Sequence, residues 1–347
     1  MPEPPSTALA YSLYHLISQY RTHRYNNEPS NKNCDSIPLV GVYDALSAKI
    51  FAQNGAPALF LSGFGVSASL LGAPDAGMLN LVEMEMVARN VCSLLRSQEC
   101  RTLLANFNPS PLIVDGDTRY GGASNMLRKI SALASAGAAA ITIEDQQFPK
   151  KCTIAAGSRV QIVDRDEAVQ RVRCALGARN LYNTNSPNSN NLGAGPWIVA
   201  RTDCRMALGF QEVVERCLRF EELGAEIIYA ENMQSREEYE KLRNCLDSRT
   251  VTMIAQVQKS SNDTALLTVQ DIGDMGFDFP LFGVTPLQCV VGALKSTARD
   301  FLRRKEYDCV DTSISESSQT AMADFATVKR VVGFGVLEDF EKEFPCC

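Results

Sequence analysis

Two carboxylates one residue apart, Asp115 and Asp117, close an apolar run in LIVDGDTRYGG, Leu112 to Gly122. Leu112, Ile113 and Val114 have the character of a buried strand, whose alternation would send residues two apart to the same face. Two anions held that close repel unless a cation stands between them, which is the setting a hard divalent ion such as magnesium asks for. The same triplet also makes ordinary turns, with its carboxylates accepting from nearby backbone N–H groups. The rest of the chain favours a site, because polar residues end one apolar run after another.

Those runs alternate with amphipathic stretches of helical length from Ile37 onward. Strands are expected at Ile37 to Val42, Ala58 to Ser62, Leu112 to Asp117, Ala139 to Glu144, Trp197 to Thr202, Glu226 to Glu231, Thr252 to Val257 and Phe279 to Val284. Eight strands with helices between them predict an α/β fold, a TIM-like (β/α)8 barrel. Side chains that do chemistry in such a barrel sit at the C-terminal ends of the strands. The ends here are Ser62 and Gly63, Asp115 and Asp117, Glu144, Arg201, Glu231 and Gln256, a charged cup suited to a cation and a small anion.

The remaining composition excludes several classes. At 347 residues and 45% hydrophobic, the chain can bury a large core. No apolar stretch approaches membrane-spanning length, and a net charge of −6 with scattered cations leaves no footprint for nucleic acid. Only two histidines occur, His15 and His23, both ahead of the first strand. A Ser-His-Asp hydrolase or a histidine-ligated zinc site therefore has no imidazole to use in the body of the chain. Proton transfer falls to Cys, Lys, Tyr or carboxylates. The twelve cysteines form no CxxC pair and are read as free thiols in a reducing, cytoplasmic setting. A prenylation box would need cysteine where Phe344 stands, so the closing Cys346 and Cys347 are read as a plain tail.

Residues 1–36 form an N-terminal extension with one helix near Leu9 to Arg24, expected to pack and not to act as a transit peptide. Residues 37–305 form the barrel, with Asn180 to Pro196 as a disordered insertion on the face away from the site. A long helix is expected over Pro286 to Arg304, and more helices over Glu316 to Phe344 in a C-terminal tail, 306–347.

Five segments carry a family likeness: YDALSAKI (Tyr43 to Ile50), LSGFGVSASLLGAPDAG (Leu61 to Gly77), VDGDTRYGG (Val114 to Gly122), AGAAAITIEDQQFPKKC (Ala136 to Cys152) and VARTD (Val199 to Asp203). They resemble the isocitrate lyase and phosphoenolpyruvate mutase superfamily. Within it they look most like the carboxyvinyl-carboxyphosphonate phosphonomutase-like branch, which includes petal death protein, oxaloacetate hydrolases and 2,3-dimethylmalate lyases. The resemblance implies a (β/α)8 barrel, a homotetramer with a swapped C-terminal helix, and Mg2+, with Mn2+ as its substitute. It implies cleavage beside a pyruvyl or oxalyl group of a small anionic 2-hydroxy or 2-keto di- or tricarboxylic acid, through an enolate-like intermediate. Carried onto this chain, Asp117 would hold the metal directly and Asp115 and Glu144 through water, with Asp75 completing the acidic ring. Ser62, Gly63, Phe64 and Tyr43 would meet the substrate, together with Gln256, and Arg201 would pair with its carboxylate. Lys150, Lys151 and Cys152 match the start of a gating loop whose cysteine is a general acid or base, and Glu231 joins Lys150, Cys152 and Arg201 among the catalytic groups. A thiolate beside two ammonium groups would have a lowered pKa.

The chain departs from the family pattern inside the site. Thr153, Ile154 and Ala156 stand where active lyases carry Gly, His and Arg; Arg119 replaces a Gly, and Gln256 in AQVQKSSND replaces an Asn. Two readings from different classes follow. One is a Mg2+-dependent carbon–carbon lyase or hydrolase with an altered substrate, in which Arg119 or Lys259 supplies a cation from a new direction. The other is an inactive barrel serving as a binding or regulatory subunit. A phosphonopyruvate-type P–C mutase or hydrolase is a further alternative, against which Cys152 argues.

Overall fold

The protein is described from a computed structural model covering residues 9–26, 36–97, 110–118, 121–185, 195–257, 266–303 and 323–344. It divides into two compact units, Met1–Val284 and Thr285–Cys347, which are described separately.

The first unit is built on a closed parallel barrel in which strands β1 to β8 neighbour one another in chain order. The strands are β1 Leu39–Val42, β2 Ala58–Leu61, β3 Leu112–Val114, β4 Ala140–Glu144, β5 Trp197–Thr202, β6 Ile227–Ala230, β7 Val251–Ala255 and β8 Phe279–Phe282. Closure comes from β1 pairing with both β2 and β8. All eight expected strands are present. Several are shorter than the apolar runs suggest, because polar residues at their C-terminal ends leave the ladder and turn toward the mouth. β5 matches its expected bounds.

Strand and helix lengths follow from local chemistry. Leu59, Leu112, Ile113, Ile141, Ile198, Val199, Ile227 and Met253 are fully buried, as parallel strands covered on both faces require. Helices start where side chains satisfy their free N–H groups. Asp44 caps Ala45–Gln53 by accepting from the Ser47 amide at 2.7 Å, while Ser47 Oγ accepts from the Asp44 amide at 3.2 Å. Asn80 and Glu83 make the same reciprocal box at the start of Leu81–Leu95.

The N-terminal helix, Leu9–Asn26, is packed as expected. Leu13 and Ile17 are buried in the core, and the Tyr14 ring meets Trp197 edge-on at 6.5 Å. Arg21 grips Asp278, just before β8, with Nε and Nη2 at 3.0 and 2.9 Å. These contacts lie at the strand starts, so the helix covers the end of the barrel away from the strand C-termini.

Helix Arg165–Asn185 continues through Asn180 to Asn185, which the sequence placed in the disordered insertion. Thr184 Oγ1 donating to the carbonyls of Asn180 and Leu181 shows how polar residues join that last turn. The rest of the insertion, 186–194, lies outside the described residues, as does Arg119.

The second unit contains Thr285–Arg303, Phe325–Val332 and Phe334–Glu343, in accord with the expected C-terminal helices.

Candidate active site

The site is assembled at the C-terminal ends of the strands. The reason given from strand alternation for Asp115 and Asp117 sharing a face does not hold. β3 ends at Val114, and Asp117 lies in a left-handed turn at φ 57°. Gly116 makes that turn possible: a Cβ there would stand 2.2 Å from the Thr142 carbonyl oxygen of β4. Its own carbonyl accepts from Lys129 Nζ at 2.7 Å, and its amide donates to Thr142 Oγ1 at 3.3 Å.

Asp115 accepts from the Asp117 amide at 3.1 Å and from the Gly63 amide at 3.2 Å. Burial opposes its ionisation, but Lys150, Arg201 and those two N–H groups outweigh it and hold its pKa below the ordinary aspartate value. Gly63 thus spends its N–H inside the protein, while Ser62 Oγ accepts from the Gly65 amide at 3.2 Å.

Lys150 supplies the cation among these acids. Its ammonium lies 3.0 Å from Asp75 Oδ1 and 3.3 Å from Asp117 Oδ1, and only 4% of its surface is exposed. Burial opposes the charge on Lys150, yet Glu144, Asp117, Asp115 and Asp75 together raise its pKa well above normal. Burial pushes Asp75 upward despite Lys150. Glu144 is 2% exposed, and among the described residues neither carboxylate oxygen has a hydrogen-bond partner; Arg201 Nε stands 3.6 Å away. Desolvation, with the neighbouring Asp203 and Asp117 charges, drives its pKa well above the usual glutamate range.

Arg201 is aimed by Asp203, whose Oδ1 accepts from Nε at 2.7 Å, and its guanidinium stands 5.2 Å from the centre of the Tyr229 ring. Glu231 lies 3.8 Å from Arg201 Nη2 and accepts from the Tyr229 hydroxyl. Burial raises the Glu231 pKa against the pull of Arg201.

Asp75, Asp115, Glu144, Lys150, Cys152, Arg201 and Glu231 line one cavity of about 80 Å³, with Ser62 and Phe64 on its wall. Tyr43, Gly63, Asp117 and Gln256 are not on that wall. Asp117 reaches it through Lys150. Gln256 is turned into the chain after β7, where Oε1 accepts from the Leu267 amide at 3.0 Å and Nε2 donates to the Ala255 carbonyl at 3.1 Å. Cys152 is half-buried at the start of the turn Thr153–Ala156. The two ammonium groups expected beside it are engaged elsewhere: Lys150 with the acids, and Lys151 with the Arg159 carbonyl at 3.3 Å. Cys92 and Cys204, by contrast, are buried thiols pushed up to about 12 by desolvation, as inert packing cysteines should be.

Sequence reasoning missed a supporting layer. Asp203 also accepts from Gln146 Nε2 at 2.6 Å, and its amide donates to Asp145 Oδ1 at 2.9 Å. Asp145 in turn accepts from Arg216 Nη1 at 2.9 Å, with both side chains almost fully buried. The sequence clue was Arg201-x-Asp203 at the end of a strand, where period-2 spacing brings the two side chains together. Arg216 sits on a helix far along the chain and gives no such clue.

A barrel whose strand ends gather acids, a buried lysine, an arginine and a thiol around a small cavity belongs to the α/β enzymes that handle small anions. The family model described as phosphoenolpyruvate phosphomutase matches residues 31–302, and the chain belongs to that family, in the PEP mutase/isocitrate lyase superfamily. It is 30% identical over 254 residues to 2,3-dimethylmalate lyase of Eubacterium barkeri, covering 73% of this chain and 77% of that one. It is 32% identical over 281 residues to the chloroplastic carboxyvinyl-carboxyphosphonate phosphorylmutase of Arabidopsis thaliana, covering 80% and 72%. The crystal structure of phosphonopyruvate hydrolase in complex with oxalate and Mg2+ superposes with a TM-score of 0.73 at 22% identity, covering 98% and 100%, and so shares the fold.

Among the described residues, no three His, Cys, Asp or Glu side chains stand close enough to hold a metal ion by themselves.

Proposed function

We propose that this protein is a Mg2+-dependent lyase or C–C hydrolase that breaks a bond beside the carbonyl or hydroxyl carbon of a small 2-oxo or 2-hydroxy di- or tricarboxylic acid, with the departing fragment leaving as an enolate that its own carboxylate stabilises. The observation that carries this reading is the convergence of Asp75, Asp115, Glu144, Lys150, Cys152, Arg201 and Glu231 on one cavity at the strand C-termini. The kinship to lyases of small carboxylic acids supports it.

The residues fit magnesium in the manner that ion prefers. It keeps most of its waters and takes one or two carboxylates directly, so a dedicated three-ligand cluster is not required. The two unpartnered oxygens of buried Glu144 are suited to accept from such waters, with Asp115 on the same wall; Asp117, the direct ligand that the family resemblance implies, faces Lys150 and would take the ion in place of that ammonium. When bound, the ion would act as a Lewis acid on the substrate oxygen that gains charge as the bond breaks.

The protein's own groups do the rest. Arg201, fixed by Asp203, pairs with the substrate carboxylate. Glu231, kept basic by burial and held by Tyr229, accepts the proton of a 2-hydroxyl, and Cys152 delivers a proton to the carbon fragment that leaves. Lys150 holds Asp75 and Asp117 in place and neutralises part of the acidic ring. The apolar helix faces of the second unit, with Val290, Leu294, Leu302 and Phe340 exposed, support a homotetramer with exchanged C-terminal helices. No described helix is long and apolar enough to cross a membrane, and a cytoplasmic site of action is part of the same reading.

The test is a panel of oxaloacetate, 2-methylisocitrate, isocitrate, 2,3-dimethylmalate and phosphonopyruvate, with and without Mg2+, following pyruvate, oxalate and succinate. Turnover of at least one acid is expected, with loss on chelation and a fall of about 10²-fold or more in Cys152→Ser, the scale of a lost general acid. A blank across the panel would favour the regulatory barrel.

A further inference from the structure

Between Glu144 at the end of β4 and helix Arg165–Asn185 the chain makes a loop with two short helical turns, Thr153–Ala156 and Gly157–Arg159, and Cys152 lies at the start of the first. A loop of that length does not by itself hold a thiol in one place. Its base is closed by backbone. Gln146 pairs with Ile162 in an antiparallel bridge, the Val163 amide donates to the Asp145 carbonyl at 3.0 Å, and buried Arg171 donates through Nη1 to the Gln146 carbonyl at 2.6 Å.

From this fixed base the Gln146 side chain, 2% exposed and on the cavity wall, reaches two ways. Its Nε2 donates to Asp203 Oδ2 at 2.6 Å, and its Oε1 accepts from the amide of Lys151, the residue before Cys152, at 3.0 Å. Asp203 Oδ1 in turn accepts from Arg201 Nε at 2.7 Å. A continuous run of hydrogen bonds therefore joins the arginine to the backbone that carries the thiol. A side-chain amide supplies at once the donor that Asp203 needs and the acceptor that the Lys151 N–H needs. An ionised carboxylate there would repel Asp203, and an apolar side chain would leave both partners unsatisfied.

We infer that Gln146 is a positioning residue, which sets the Cys152 thiol relative to the substrate carboxylate held on Arg201. It does so only if Cys152 is the general acid of the proposed reaction, and the inference rests on that reading. When the carbon–carbon bond breaks, its electron pair passes to the departing fragment as an enolate, whose carbon takes the proton of the Cys152 thiol and leaves a thiolate. A donor misplaced by about 1 Å at that moment can cost 10²-fold in rate.

Steady-state kinetics of the full chain in Mg2+, on an acid that the panel above shows to be turned over, test this in a cycle of Gln146→Met, Cys152→Ser and the double variant. Gln146→Met should lower kcat about 10²-fold and move KM by no more than about threefold, because Arg201 keeps its own bond to Asp203. In the Cys152→Ser background the same substitution should change kcat by no more than about threefold, since the group it positions is gone. Alkylation of Cys152 by iodoacetamide, followed by peptide mass spectrometry against exposed Cys245, should quicken about tenfold in Gln146→Met, the scale of one lost charge-assisted hydrogen bond. Gln146→Asn, whose amide falls one methylene short of its two partners, carries the same expectations should the Met variant not fold. Equal losses of kcat in both backgrounds, or an unchanged alkylation rate, would overturn the positioning role and leave the enzyme reading standing. A wild type that turns over no acid of the panel removes both.

Discussion

Lys129 shows how strongly the site's charges depend on what surrounds them. It is fully buried, donates to the Gly116 carbonyl, and has a pKa lowered to about 8 by desolvation, even though Asp117, Glu144 and Asp115 pull it upward. An unfolded lysine titrates near 10.4. Between about pH 8 and 10 the unfolded chain therefore binds more protons at this position than the folded one, and stability from this group rises with pH. In chemical denaturation, the wild type should gain on Lys129→Met across that window. A difference that stays constant or shrinks with rising pH would show that Lys129 remains charged in the fold. Lys150 behaves in the opposite sense although equally buried, because four carboxylates face it. The two lysines differ in their neighbours, a contrast the bare sequence does not display.

At the scale of elements, the turn after β3 is the most constrained piece of the site. Gly116 lies where the Thr142 carbonyl leaves no room for a Cβ, and Asp117 depends on the left-handed conformation that follows. Gly116→Ala must push β3 from β4, with an expected loss of about 1–3 kcal/mol, typical of overpacking. The same shift moves Asp115 and Asp117 together, so metal-dependent binding of oxalate should weaken more than stability does. Equal oxalate affinity in wild type and variant would show that the turn does not position the acids. The layer of Arg216, Asp145, Asp203 and Gln146 has the corresponding part at β4 and β5: it fixes Arg201 from behind.

At the scale of the whole molecule, the two units contrast in how their apolar residues are used. The barrel buries its own in one continuous cluster from Leu13 to Leu281. In the second unit, Leu294, Leu302, Phe325, Val336 and Phe340 are more than half exposed, at 63, 74, 74, 58 and 59%. Apolar helix faces of that extent are normally covered by another surface, and a second copy of the chain is the expected cover. Light scattering should give a mass near four times 38.0 kDa. Leu294→Glu with Phe340→Glu should lower it while leaving the barrel's circular dichroism intact. A monomeric wild type would remove the oligomer from the proposal.

Much of this was legible in the residues themselves. Apolar runs such as Ala140–Glu144 and Trp197–Thr202 mark strands because a parallel strand buried on both faces must be apolar throughout, and their polar last residues mark the mouth. The barrel, and the gathering of Asp115, Glu144, Arg201 and Glu231 at one end, follow from that local signal. Direction at short range did not. Strand alternation predicts that Asp117 faces the cavity, and a place at a strand end predicts the same of Gln256; a left-handed turn takes one to Lys150, and a hydrogen bond from Leu267 takes the other into the backbone. Nor could chain order reveal that Arg216 would support Asp145. Residue type and periodicity decide what each segment buries, because burial depends on the side chains of that segment alone. Which buried charges meet, and which of them keep their protons, is decided only when distant segments are brought within a few ångströms, where desolvation and Coulomb energy become large.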